Sequence, residues 1–150
     1  MNHRSGPSLQ VVARYDARGG MQLEGGPVEL RQLAEVIRAA RPEGAEYSLT
    51  TPEGADPRPY DGFLYSMAVS ATDELVHVTR QSDSIHIAGS RAGLALLSQS
   101  ILHVADQAET NSLTGSVNYH VHIEYHEGHP FLGTGSEPFT IMLRNARRQF

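Results

Sequence analysis

The sequence predicts an α+β fold, a mostly antiparallel sheet with two helices packed on one face, in the order β-α-β-β-β-α-β-β. Three observations predict it. Several short segments alternate apolar and polar residues, the period of a half-buried strand. Two longer segments carry apolar residues at helical spacing. Glycine, proline and small polar residues punctuate the boundaries between them. Helices on one side leave the other sheet face in water, which antiparallel sheets tolerate.

Leu9–Tyr15 reads as the first strand, and Asp16–Gly20 supplies turn residues. Pro27 suits the first position of a helix. Leu30, Leu33, Ala34 and Ile37 make its apolar stripe, Arg38 and Arg41 complement its C-terminal dipole, and Pro42 ends it. From Pro42 to Gly62 seven prolines and glycines predict a long loop, a solvated connector. Phe63–Ser70 alternates as one strand. Leu75–Arg80 and Ser84–Ala88 predict a hairpin about Gln81–Asp83, with residue 80 opposite 85 and 78 opposite 87. That register puts Val76, Val78, Ile85 and Ile87 on one face and His77, Thr79 and His86 on the other. A one-residue slip would mix the two sets. Ser90 is placed to cap a second helix, with Leu94, Leu97, Ile101, Ala105 and Ala108 as its stripe, broadened by Leu102 and Val104. Asn111–Ser116 reads as a break. A histidine-rich strand and a last strand about Phe139, Ile141 and Leu143 follow, then a frayed tail at 145–150. No repeat at a solenoid period is visible.

A chain of 150 residues fits a single domain, 1–150, with short frayed termini. The absence of cysteine excludes disulfides and thiolate metal sites. Neither a signal peptide nor an apolar run of membrane-spanning length is visible, so no membrane partner is expected, and the absence of cysteine is compatible with the cytoplasm. The formal net charge of −5 argues against general nucleic-acid binding and favours a basic partner.

The segment Tyr119–Pro130 holds four of the eight histidines. As a strand it would place His120, His122, Glu124 and His126 on one face, and Tyr119, Val121, Ile123 and Tyr125 on the other, against the core. With His77 and His86, one open face would then hold five imidazoles. Three readings compete. The histidines are half-exposed strand residues pairing across the sheet. Alternatively, His120, His122 and His126 bind zinc, since neutral imidazole is a common ligand and residues two apart on a strand can reach one ion. The third is recognition or proton transfer, with Glu124 orienting an imidazole. Ser112, Ser116 and Ser136 lie in no nucleophile-elbow motif. Gly133-Thr134-Gly135-Ser136 lacks the lysine and spacing of a phosphate loop. His129-Pro130 follows Glu127-Gly128 and reads as a turn packing on the tail strand.

The pattern His120-x-His122-x-Glu124-Tyr125-x-x-Gly128-His129, followed by Gly135-Ser136 and the strand through Ile141, resembles the bacterial immunity protein family numbered thirty-two of polymorphic toxin systems. Ile85–Ser90 and the helix after it fit the same pattern, so the resemblance covers about the C-terminal half. Phe139 stands where the family pattern has leucine. The resemblance implies a small α+β cytoplasmic protein that binds and neutralises a cognate toxin, with no catalytic residues to carry over. The expectation is therefore a non-enzymatic binding protein without a cofactor. Its expected partner-binding residues are His120, His122, Glu124, His126, Glu127, His129 and Glu137. The alternative is a histidine-rich metal-binding protein or metal-dependent hydrolase.

Overall fold

The computed structural model describes residues 7–114 and 119–144. The fold is α+β, with two helices and mixed sheets. Of the strand pairs among the described residues, five are antiparallel and three parallel. The expected single sheet is instead two five-stranded sheets, built from ten strands.

The first expected strand divides into β1 (Ser8–Leu9) and β2 (Val12–Tyr15), which join different sheets. The turn residues Asp16–Gly20 lead into β3 (Met21–Gly25), which sequence reading passed over. Gly26 then opens α1 (Pro27–Arg38) with no side-chain cap, and the Leu30 amide donates to the Gly26 carbonyl at 2.9 Å. Arg38 pairs with Glu35 in the last turn, while Arg41 lies beyond the helix end. The segment expected as loop contains β4 (Ala45–Leu49), leaving a true loop only up to β5 (Gly62–Leu64). Tyr65 breaks the expected 63–70 strand. After it, β6 (Ser66–Ala71) runs in the other sheet, so Leu64 and Met67 are both buried and simple alternation fails.

The hairpin of β7 (His77–Gln81) and β8 (Ser84–Gly89) has the expected register, Arg80 opposite Ile85 and Val78 opposite Ile87. Ser90 Oγ accepts the Gly93 amide at 3.0 Å, capping α2 (Arg91–Thr114). That helix continues through Asn111–Thr114, where a break was expected; the side chains of Ala108 and Ser112, Ser116, and the 145–150 tail lie outside the described residues. The last strands are β9 (His120–Ile123) and β10 (Phe139–Leu143).

The chain traces one path twice. β2, β3, α1, β4 and β6 are followed by β7, β8, α2, β9 and β10 in the same order, with β5 inserted between β4 and β6 in the first half. One sheet runs β5-β2-β3-β10-β9 and the other β1-β4-β6-β8-β7. Each half thus gives its first strand pair to one sheet and its last pair to the other, and the halves meet through the parallel pairs β3–β10 and β6–β8. Gly25 faces Leu143 in the first as Gly89 faces Ala71 in the second. The Arg144 amide donates to the Gly25 carbonyl, as the Thr72 amide donates to Gly89, both at 2.8 Å. At one constant offset, Leu30, Leu33, Ala34, Ile37 and Ala40 correspond to Leu94, Leu97, Ser98, Ile101 and Val104, all buried. The helices touch at the matched pair Ala34 and Ser98, where Ser98 Oγ donates to the Ala34 carbonyl at 2.9 Å.

Both helices and one face of each sheet share a single apolar core. Burial of some thirty apolar side chains there supplies the main driving force for folding. The remaining face of each sheet carries most of the strands' polar side chains, together with Val12 and Phe63 beside Arg14. No helix among the described residues is long and apolar enough to cross a membrane.

Candidate docking face

The two sheets separate the histidines. His77 and His86 lie on the outer face of the β7–β8 sheet, while His120 and His122 lie on that of the β9–β10 sheet. The expected face of five imidazoles is therefore not assembled. Strand β9 ends at Ile123, so Glu124, Tyr125 and His126 leave the alternation, and Tyr125 is 36% exposed rather than buried. Ile123 is buried as expected, and Tyr119 and Val121 pack partly against the core.

On the outer face of β9, the His120 and His122 rings meet edge to face at 5.0 Å between centroids. His122 Nδ1 lies 2.9 Å from Thr140 Oγ1, its cross-strand neighbour on β10. His126 belongs to a second pair, with its centroid 4.9 Å from that of His129. Among the described residues no group of three histidine, aspartate or glutamate side chains is placed to hold a metal ion.

His129 shapes the turn. Its Nδ1 accepts the amides of Phe131 at 3.1 Å and Leu132 at 3.0 Å, and its ring stands edge-on to Phe131. Only a neutral ring offers Nδ1 as an acceptor. Partial burial first, and the neighbouring His126 second, hold its pKa below the ordinary 6.5. Gly128 before it has φ +82, a conformation glycine adopts without strain.

The loop that follows seals the edge of β7. Leu132 bridges Val76, and Ser136 Oγ accepts the Val78 amide and donates to the Val76 carbonyl. Glu137 spans the two sheets, accepting the Gly20 amide at one oxygen and the Arg80 amide at the other. A Cβ on Gly133 would lie 2.5 Å from His77 Nε2, so any larger residue there would require the His77 ring to move aside. His129 and Glu137, expected to touch a partner, thus have framework roles.

Sequence reading missed the rest of this face. Arg14 donates to Glu24 at 2.7 Å and to Gln22 at 3.1 Å, and Arg144 reaches the other oxygen of Glu24 at 3.5 Å. The Arg14–Glu24 pair is largely shielded from water, so its Coulomb attraction is screened less than that of a surface pair. A cleft of about 740 Å³ opens beside it, walled by Gln10, Thr50 and the start of α1. A smaller one of about 200 Å³ joins His122, Glu124 and Thr140 to Asp16 and Tyr60. The alternation of Arg14 with Ala13 and Tyr15, and of Gln22 and Glu24 with Met21 and Leu23, was the available signal, once the two segments are paired as a hairpin.

No curated protein and no solved structure matches the chain. The motif residues of the C-terminal half form β9, the His129 turn and the loop sealing β7, as one continuous unit. Over residues 84–144, from β8 through α2 to the end of β10, the chain matches the model of the family Immunity protein 32.

Proposed function

We propose that this chain is an immunity protein that neutralises a cognate toxin by binding it directly in the cytoplasm. The family match over 84–144 carries this reading, because it spans the unit that presents His120, His122, Glu124 and Glu127. A non-enzymatic role agrees with the chemistry of the face, where the imidazoles and carboxylates are cross-strand neighbours rather than a nucleophile with its base. A net charge of −5, with Glu124 and Glu127 exposed beside the histidines, suits a basic toxin surface. Such complementarity accelerates association more than it deepens affinity. Cells producing the toxin encoded beside this gene should grow when they also produce this chain. Replacing Glu124 and Glu127 with lysine should weaken that protection without altering the fold. Unprotected growth arrest with the wild-type chain would refute the immunity role.

A further inference from the structure

The duplicated path exposes an asymmetry at the sheet edges. Strand β2 is flanked by β5, and β7 by the loop through Leu132 and Ser136. Strand β4 is flanked by β1, which runs parallel to it with Ser8 beside Ser48 and Leu9 beside Leu49. The counterpart of β4 is β9, and among the described residues nothing flanks it.

The correspondence extends to single amides. On β4, the Ser48 amide donates to the Pro7 carbonyl at 3.2 Å and the Thr50 amide to Val11 at 3.1 Å. Matching β4 to β9 through their partners β6 and β10 aligns Ala45, Glu46 and Tyr47 with Val121, His122 and Ile123; counted on past the end of β9, Glu124 falls at the place of Ser48, Tyr125 at Leu49 and His126 at Thr50. On β9, the Leu143 amide donates to the Tyr119 carbonyl, so the backbone groups of residues 119, 121 and 123 turn toward β10. Those of His120 and His122 then turn outward, to the open edge. Leu49 is covered by Leu9 and buried, whereas Tyr125, its counterpart, is exposed.

We propose that an extended segment of the toxin occupies this edge, lying along β9 as β1 lies along β4. This rests on the immunity reading and names its mode of binding, strand addition to an open sheet edge. The segment runs parallel to β9, pairs with the backbone of His122 and Glu124, and sets an apolar residue over Tyr125. Glu124 and Glu127 beside it call for basic residues flanking that apolar one. The two histidines thus contribute main-chain groups to the partner, while their rings mark the outer face.

The test compares His122→Pro with His122→Ala, each titrated with a catalytically inactive form of the toxin domain encoded beside this gene. Proline removes the outward N–H and is tolerated on an edge strand, whereas alanine keeps it. His122→Pro should bind about tenfold or more weakly than His122→Ala, with the two variants showing the same circular dichroism. Amide exchange by NMR should show toxin-dependent protection at His122 and Glu124 in the wild type. Equal affinities, or binding without that protection, would overturn strand addition and leave the immunity reading standing. Failure of the wild-type chain to bind would overturn both. Protection that rises with protein concentration in the absence of toxin would assign the edge to a second copy of this chain and overturn the toxin as occupant.

Discussion

The guanidinium carbon of Arg80 lies 4.2 Å from the centre of the Tyr15 ring. The two residues hold matching positions in the two halves, Tyr15 opposite Met21 and Arg80 opposite Ile85. The contact therefore joins the two sheets where the duplicated hairpins meet. Glu137 reinforces the junction by accepting amides from both sides. Arg80→Ala should lower stability by about 1–2 kcal/mol, through the lost cation–π contact and the packing of its aliphatic stem. Urea unfolding with an unchanged slope would measure it.

Facing on β9 is tested by two neighbours. Ile123 is 6% exposed, while His122 stands in solvent against Thr140. Ile123→Asp buries an unpaired carboxylate and should cost about 3–5 kcal/mol; His122→Asn should cost less than about 1 kcal/mol. Thermal melts in the opposite rank order would reverse the assigned faces.

Gly25 and Gly89 occupy matching places but have unequal room. A Cβ on Gly89 would lie 2.6 Å from the backbone Cα of Val76, whereas one on Gly25 would meet Glu29 Cβ at 3.2 Å. Gly89→Ala should therefore destabilise by about 3 kcal/mol and Gly25→Ala by under about 1 kcal/mol. Equal losses in chemical denaturation would argue against the tight approach of Val76.

The pH dependence follows from His129. Its folded pKa is depressed below 6.5, so the unfolded chain binds the proton more readily. The associated stability is fully present above the ordinary 6.5 and is lost as pH falls through the lower folded value. Protonation would also break both hydrogen bonds to Nδ1. His129→Asn keeps a short acceptor for the turn without titrating. Its stability should fall less than that of the wild type between neutral pH and pH 5. Parallel curves for the two proteins would remove His129 as the source.

Much of this was legible because local chemistry and tertiary packing agree. The β7–β8 register, the α1 stripe and the Ser90 cap follow from spacing alone, and the structure keeps them. Strand β4 was hidden because only Tyr47 and Leu49 mark its inward side, amid prolines and glycines that predict a loop. Tyr65 conceals a change of sheet inside an unbroken alternation. The duplication survives in the helix stripes and in strand pairing, where similar apolar volumes suffice and residue identity is free. Periodicity placed His120 and His122 on one face, but no local pattern could say that His86 belongs to another sheet, or that Arg14, Glu24 and Arg144 converge.

The immunity role is tested most directly by titrating any toxin domain found encoded beside this gene, once purified, with the purified chain, while following toxin activity. A linear fall to complete inhibition at one chain per toxin is expected, with slower association as salt rises. Full toxin activity in the presence of excess chain would contradict it.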